Sequence, residues 1–414
     1  MRFKPSGASH QNKAAEDSRT PRRWRDFSRA IQSARFWNAA VLCRFYVLLP
    51  KQPDTLNHTR WLQDPIAEKA ETGYQRRFGG IRKWIALTNS SFWRKGNIMA
   101  TTTTGKGTMK AVQIHAYGGP EVLQYEDVPQ PQPKANQILV RVHAAGVNPV
   151  DWKFREGFLT VTLPMIMGID FSGVVESVGS GVTKYRSGDA VFGQVADESG
   201  GYAEYAVAME SDVARKPDGL DHIRAAALPV AGLTPWQALF DTAKLTAGQT
   251  VLIHGAAGGV GSFAVQFAKW KGARVIGTAS GAHVEQVRQL GADEVIDYRK
   301  TKFEEIARDV DVVLDTIGGE TQERSWQVLK RGGVLASLVQ PPTPEKAAAH
   351  GVRGFLVSQK ADGEQLATIA DLVVKGKVKV NVETVLPLQE AAQAQELSKT
   401  GHSGGKIVLE VNGR

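Results

Sequence analysis

Cysteine is almost missing from this chain. Cys43 is the only one among 414 residues, so neither a disulfide framework nor a zinc site built of cysteines is available. Long apolar runs are missing as well. The best early candidate, residues 39–49, is interrupted by Arg44 and falls short of a bilayer span. The same run lies too far from the terminus to serve as a secretory signal. No Ser, His and Asp set stands at a spacing that hydrolases use, which leaves hydrolase chemistry without support. What the chain has in plenty is glycine: 42 residues without a collagen-like period, a sign of many close backbone approaches. With 42% hydrophobic and 22% charged residues, it has the composition of a soluble globular protein with a substantial core. The length allows two or three domains.

A net charge of +9 would point to nucleic acid or membranes if it belonged to the folded body. It does not. Residues 1–98 hold 19 Lys+Arg against 7 Asp+Glu, and the rest of the chain holds 32 against 35. Five of the nine Trp residues fall in the same leader. Three readings of the leader stand side by side. Its Arg-rich, acid-poor stretch with Arg22, Arg23, Arg25, Arg29 and Arg35 suits a transit peptide. It also suits a disordered basic tail, or upstream sequence read from a start codon placed too early, since Met99 and Met109 both look like natural starts. Under each reading the leader is expected to form no part of the folded core. The expected location is the cytoplasm, or an organelle if the leader is a genuine transit peptide.

From Lys110 the pattern becomes regular. Short β-rich runs at 110–115, 138–143, 172–178, 190–193 and 203–208 are bounded by Gly, Pro and Asn. Residues 128–133, with Pro129, Pro131 and Pro133, are extended chain that cannot form a central strand. Such spacing predicts an antiparallel, barrel-like domain. After Leu228 the rhythm changes. Strands at 250–254, 274–277, 294–297, 311–315, 333–337 and 354–357 alternate with helices at 262–270, 283–290, 302–307 and about 322–330. That alternation predicts an α/β fold with a doubly wound, Rossmann-type parallel sheet. Residues 363–411 read as a helix, a strand pair and a closing strand at 406–410. The expected organisation is therefore a leader at 1–108, a first part of a β-rich domain at 109–228, a dinucleotide-binding domain at 229–358, and a return to the first domain at 359–414.

Between the strand at 250–254 and the helix after it stand Gly255, Ala256, Gly258, Gly259, Val260 and Gly261. A glycine-rich motif alone is weak evidence, but this one has the strand–loop–helix context its mechanism needs. Glycines let the backbone approach a pyrophosphate, and the helix aims free N–H groups and its positive end at it. A tight turn with nothing bound is the bland alternative. The segment after the second strand, residues 273–283, contains no acid to accept from a ribose 2′-OH. Ser280, with His283, Arg288 or Tyr298 nearby, could instead hold a 2′-phosphate, which favours NADPH over NADH. Ser280 could equally cap the following helix, and Arg288 could be a solvated helix residue.

Taken in order, Ala144-Ala-Gly-Val-Asn-Pro-Val-Asp151, Gly168-Ile-Asp-Phe-Ser-Gly-Val-Val175 and Gly188-Asp-Ala-Val-Phe-Gly193 resemble the medium-chain dehydrogenase/reductase superfamily. So do Ala231-Gly-Leu-Thr-Pro-Trp236, the loop at 254–261, Leu290-Gly-Ala-Asp293 and Gly405-Lys-Ile-Val-Leu409. Within it the body is similar to the zinc-free quinone oxidoreductase group, which includes zeta-crystallin and the alkenal/enone reductases. The resemblance spans Met109 to Arg414 and implies a GroES-like catalytic domain beside the NADP-binding one, and a homodimer. Zinc alcohol dehydrogenases carry a catalytic Cys where this chain has Asn148–Asp151, and Gly-His-Glu where it has Gly168-Ile169-Asp170. Asp151 or Asp170 alone is a poor substitute for such a site, so no metal is expected.

The resemblance implies further roles. Asn148 and Lys153 face the nicotinamide or the substrate, where an amide or ammonium would support developing negative charge. Thr234 lies along the nicotinamide, and Ile317, at the end of the fourth strand, belongs to the cofactor contacts. Asn148 before Pro149 could equally be a turn residue, Lys153 a surface charge and Thr234 a helix cap. The expected reaction is hydride transfer from NADPH to a quinone or an α,β-unsaturated carbonyl. Some members of the family that this chain resembles are structural or RNA-binding proteins that hold NADPH, and a non-enzymatic role of that kind is the alternative. The acidic body is not expected to bind nucleic acid, because phosphate binding needs clustered Lys and Arg.

Overall fold

Eight strands occupy the first half of the described chain: β1 (Thr108–Ile114), β2 (Leu123–Pro129), β3 (Gln137–Val147), β4 (Met165–Ile166), β5 (Asp170–Val178), β6 (Ala190–Gln194), β7 (Tyr205–Met209) and β8 (Val213–Arg215). The computed structural model describes residues 107–401 and 404–411. The leader, with its three readings and its expected lack of a folded core, lies outside the described residues. The chain divides into two units, Met1–Ile98 and Met99–Arg414, and the described residues belong to the second.

Two later groups of strands follow. The first is β9 (Thr250–Ile253), β10 (Arg274–Ala279), β11 (Glu294–Asp297), β12 (Val310–Asp315), β13 (Leu329–Ser337) and β14 (Arg353–Leu356). The second is β15 (Val382–Pro387) and β16 (Lys406–Glu410). Three sheets result, in the orders β2-β1-β4, β15-β16-β3-β5-β6-β8 and β11-β10-β9-β12-β13-β14.

β3 is the hub of the larger antiparallel sheet. Nine of its eleven residues are buried, and it pairs antiparallel with β5, β7 and β16. The closing strand thus joins the sheet of the first strands, Ile407 facing Val147. The six-stranded sheet is parallel throughout. Its central β12 is buried along its whole length, as a strand covered by helices on both faces must be. Strand order reverses between β9 and β12, which opens a crevice at the carboxyl ends of these two strands. The α/β class with a doubly wound sheet and a GroES-like domain is therefore what the chain forms.

Two local expectations fail. The helix expected at about 322–330 runs instead from Gly319 to Ser325, and β13 has already begun at Leu329. Leu329 pairs with Val310, and Trp326 and Val328 are buried, so sheet pairing and core packing override helical propensity there. In the last segment the expected strand pair is the single strand β15, and Ala391–Lys399 is a helix. That helix buries Ala391, Ala394 and Gln395, and Gln395 accepts from the buried Arg155 guanidinium. Among the described residues no helix is long and apolar enough to cross a membrane.

Candidate active site

β9 delivers the chain into the glycine loop, and the Gly259–Trp270 helix leaves it. The residue before that helix, Gly258, is extended and has no side chain to cap the first turn. The first N–H groups of a twelve-residue helix and its positive dipole end are therefore left without a side-chain cap. Gly255 is left-handed, at φ +66°, and a methyl there would stand 2.6 Å from Thr316 Oγ1. A methyl on Gly261 would stand 2.1 Å from the Gly255 carbonyl oxygen. On Gly258 it would meet nothing nearer than 3.5 Å. Two glycines thus close the loop on itself, and the third leaves its backbone without close neighbours. This cradle fits a pyrophosphate. Ala256 is buried and ties the loop to β10 through its N–H, 2.9 Å from the Thr278 carbonyl, while Gly259 and Val260 are half-buried in the first turn. Ile317, 57% exposed, brings Cδ1 to 3.3 Å from the Gly255 methyl position and forms an apolar wall beside the loop.

Beneath the loop His254 is buried, its ring within 3.2 Å of Thr278 Oγ1 and 3.0 Å of Ser325 Oγ. Burial pushes its pKa down to about 4, so the imidazole is neutral at pH 7. It joins β9 to β10 and to the Gly319–Ser325 helix from below.

At the ends of β10 and β11 stand the residues expected at a 2′-phosphate. Ser280 precedes a short 3-10 turn and makes no side-chain cap bond to it, so the capping alternative does not describe it. Tyr298 is half exposed, and its backbone N–H reaches the Ala279 carbonyl at 3.2 Å. Arg288 pairs with Glu285 at 3.5 Å on the surface, and His283 with Gln286 at 3.1 Å. Those two are held locally, whereas Ser280 and Tyr298 stand at the strand ends. One acid escaped the sequence reading: Asp297 at the end of β11, with Oδ2 2.9 Å from where a Gly281 methyl would be.

The second half of the site is a buried polar cluster. Asn148, at the start of the Pro149–Arg155 helix, donates Nδ2–H to Asp170 Oδ2 at 2.9 Å. Its carbonyl oxygen accepts from Lys406 Nζ at 2.6 Å. Asp151 reaches back to the Asn148 backbone N–H at 2.9 Å, and Tyr202 donates to the same carboxylate oxygen at 2.7 Å. Asp170 also accepts from the Val230 backbone N–H, at 3.1 Å to Oδ2, in the first turn of the Pro229–Trp236 helix. The helix dipole favours that negative charge. Burial nevertheless pushes Asp170 up to about 6 and Asp151 up to about 7, while Lys406 opposes both shifts. Tyr202 is raised well above its ordinary value by burial and by Asp151.

The structure draws several of the expected residues together. Thr234 donates to the Val230 carbonyl at 2.6 Å, so Thr234, Val230, Asp170 and Asn148 form one chain of bonds. It bonds back within its helix rather than capping it. Asn148 is no simple turn residue, since both ends of its amide are held by charged partners. The Lys406 stem meets the glycine loop, with Cδ 3.0 Å from the Gly259 methyl position. Lys153 stands apart: half-buried, its pKa lowered by burial, it has Nζ 5.6 Å from the Trp152 ring centre. Lys406 and Tyr202 were missed by sequence reasoning. The one signal for Lys406 was a lone lysine opening a strand whose next three residues are apolar.

A zinc ion does not fit this donor set. Among the described residues no group of three or more His, Cys, Asp and Glu could hold a metal. Asp170 and Asp151 already accept from protein donors, and both support the Lys406 ammonium against the burial that lowers its pKa.

Residues 134–218 match the family described as alcohol dehydrogenase GroES-like domain, and residues 290–409 match the one described as zinc-binding dehydrogenase. The quinone oxidoreductase of Rattus norvegicus is 36% identical over 327 residues, which cover 74% of this chain and 99% of that protein. The chloroplastic NADPH-dependent alkenal/one oxidoreductase of Arabidopsis thaliana is 36% identical over 340 residues, 78% of this chain and 85% of its own. Among solved structures, the quinone oxidoreductase from Coxiella burnetii superposes with a TM-score of 0.70 at 38% identity, covering 74% of this chain and all of that one. The Escherichia coli quinone oxidoreductase complexed with NADPH gives 0.68 at 30% identity, covering 73% and 99%.

Proposed function

This chain belongs to the medium-chain dehydrogenase/reductase family, among the quinone oxidoreductases, and from that premise we propose that it transfers a hydride from NADPH to a quinone or an α,β-unsaturated carbonyl without zinc. One observation carries the reading. The buried Asn148–Asp170–Lys406 cluster meets the glycine loop at Gly259, and it offers an amide and an ammonium near the transfer site in place of a set of metal ligands.

NADPH, when bound, supplies the hydride. Gly258 and the first turn of the Gly259–Trp270 helix would hold its pyrophosphate, and Ser280 with Tyr298 its 2′-phosphate. A quinone or enone is already electron-poor, so no Lewis acid is needed to make it accept hydride. What the reaction does create is negative charge on an oxygen. Asn148 has one Nδ2 hydrogen left after serving Asp170, and this donor would be the one to stabilise that oxygen. Asp170 and Lys406 fix the amide, and Ile317 keeps the entry apolar.

The test is a screen of NADPH oxidation against quinones, enones and short enals. Turnover with at least one of these classes is expected. NADPH left unoxidised by all three classes would overturn the reading.

A further inference from the structure

Lys406 is 4% exposed, yet among the described residues it forms no ion pair. Its Nζ donates to the Val147 carbonyl at 2.7 Å and to Asn148 Oδ1 at 2.6 Å. Both acceptors belong to one dipeptide, so its hydrogen bonds act on the conformation of Val147–Asn148, while its charge also supports the Asp170 and Asp151 carboxylates. We propose that Lys406 is a positioning residue of the reaction centre: it locks the Asn148 side-chain amide in a single orientation and polarises it, leaving one Nδ2 hydrogen for the substrate oxygen. The inference rests on the reading above in one respect, that Asn148 meets the hydride acceptor.

A primary amide is nearly symmetric in shape, and a half-turn exchanges its oxygen and nitrogen at little steric cost. Only its partners can tell the two orientations apart. Here they are of opposite chemistry. An ammonium only donates and must face Oδ1; a carboxylate only accepts and must face Nδ2. Turning the amide over would aim N–H groups at a buried cation and a carbonyl at a buried anion, and would lose both charge-assisted bonds. The cation has a second effect. A carbonyl that accepts from an ammonium draws electron density from its own nitrogen, which strengthens the remaining N–H as a donor.

The backbone explains how the lock is held. Lys406 opens β16, whose next residue, Ile407, pairs with Val147 on β3. Its own N–H is bonded to the Asn381 carbonyl at 2.8 Å, and its stem is pinned against Gly259. Nζ is thereby set beside Asn148 by a strand pairing rather than by a flexible loop.

The test is a double-mutant cycle on the full chain: wild type, K406M, N148A and K406M/N148A, assayed with NADPH and 1,2-naphthoquinone. K406M should lower kcat by about tenfold or more while NADPH Kd stays within about twofold. In the N148A background the same substitution should change kcat by less than about twofold, because Lys406 acts through Asn148. Equal kcat losses in both backgrounds, or a loss confined to NADPH Kd, would overturn the proposal. A second readout does not need turnover. In 15N-asparagine-labelled wild type, the Asn148 side-chain signal, identified by its absence in N148A, should show one slowly exchanging Nδ2 proton. Two fast-exchanging protons would overturn the proposal even if K406M does not fold. Should the wild type reduce no acceptor, the functional reading fails, and this exchange measurement decides the inference by itself.

Discussion

Gly258 and Gly261 stand three residues apart in one loop, and a methyl group would meet opposite surroundings on them. On Gly261 it would lie 2.1 Å from the Gly255 carbonyl oxygen and 2.8 Å from the Ala256 α-carbon. On Gly258 it would make only an ordinary contact, 3.5 Å from the Gly255 carbonyl oxygen, at a backbone conformation that any residue adopts. The second glycine is required by the fold, and the first is free to serve the proposed cofactor contact. Gly261→Ala should therefore cost about 1–3 kcal/mol or more of stability, through overpacking against backbone that cannot yield. Gly258→Ala should leave the melting temperature unchanged or slightly raised, and should weaken NADPH binding about tenfold. Thermal unfolding and cofactor titration of the two variants separate these effects.

Cofactor preference should follow the ends of β10 and β11. No acid lies between Ala273 and His283 on β10 and its following turn, Asp297 at the end of β11 being the one acid nearby, and Ser280 is free of a capping bond. NADPH is expected to bind at least about tenfold more tightly than NADH, a difference of about 1.4 kcal/mol. Ser280→Ala should narrow that ratio without changing NADH affinity. Equal dissociation constants for the two cofactors in wild type would contradict the assignment of this end of the site.

Metal content gives a third expectation. The carboxylates that might have held an ion are bonded to Asn148, Val230 and Tyr202 and interact with the Lys406 ammonium. Purified protein should contain no stoichiometric zinc and should keep its activity in excess EDTA. Elemental analysis giving one zinc per chain, with activity lost on chelation, would reverse this.

Much of this was legible in the sequence, for identifiable reasons. A glycine loop between a buried strand and an apolar helix fixes its own conformation locally, so Gly255 to Gly261 could be read with their context. The strand–helix alternation likewise implied the parallel sheet. Contacts across the fold were not legible. Lys406 looked like the polar start of a closing strand, and only the pairing of β16 with β3 brings it to Asn148. Tyr202 sits 51 residues from the Asp151 it bonds. Asp151 and Asp170 were weighed as metal ligands and found wanting, yet nothing local reveals that both are buried beside an ammonium. The end of the Gly319–Ser325 helix was misjudged because β13 claims Leu329 through a distant partner, Val310.

Acid should loosen the support under the cofactor loop. The His254 pKa falls from an ordinary 6.5 to about 4 in the fold because the ring is buried. The unfolded chain therefore takes up a proton that the native state refuses, and this contribution to stability is present above pH 6.5 and lost as pH falls toward 4. Its size is on the order of 3 kcal/mol at most. His254→Asn should be less stable than wild type at pH 7.5, and its melting temperature should fall less between pH 6.5 and 4. Parallel melting curves for the two proteins across that range would show that His254 does not stay neutral in the fold.

The fate of the hydride tests the central claim most directly. With NADPH deuterated at the transferred position of the nicotinamide and a short enone as acceptor, NMR of the product locates the label. A saturated ketone with one deuterium on its β-carbon is expected, formed in equal amount to the NADPH oxidised, in the presence of EDTA. Unlabelled product, or NADPH left untouched by enones and quinones while an alcohol is oxidised with NADP+ only when zinc is supplied, would contradict it.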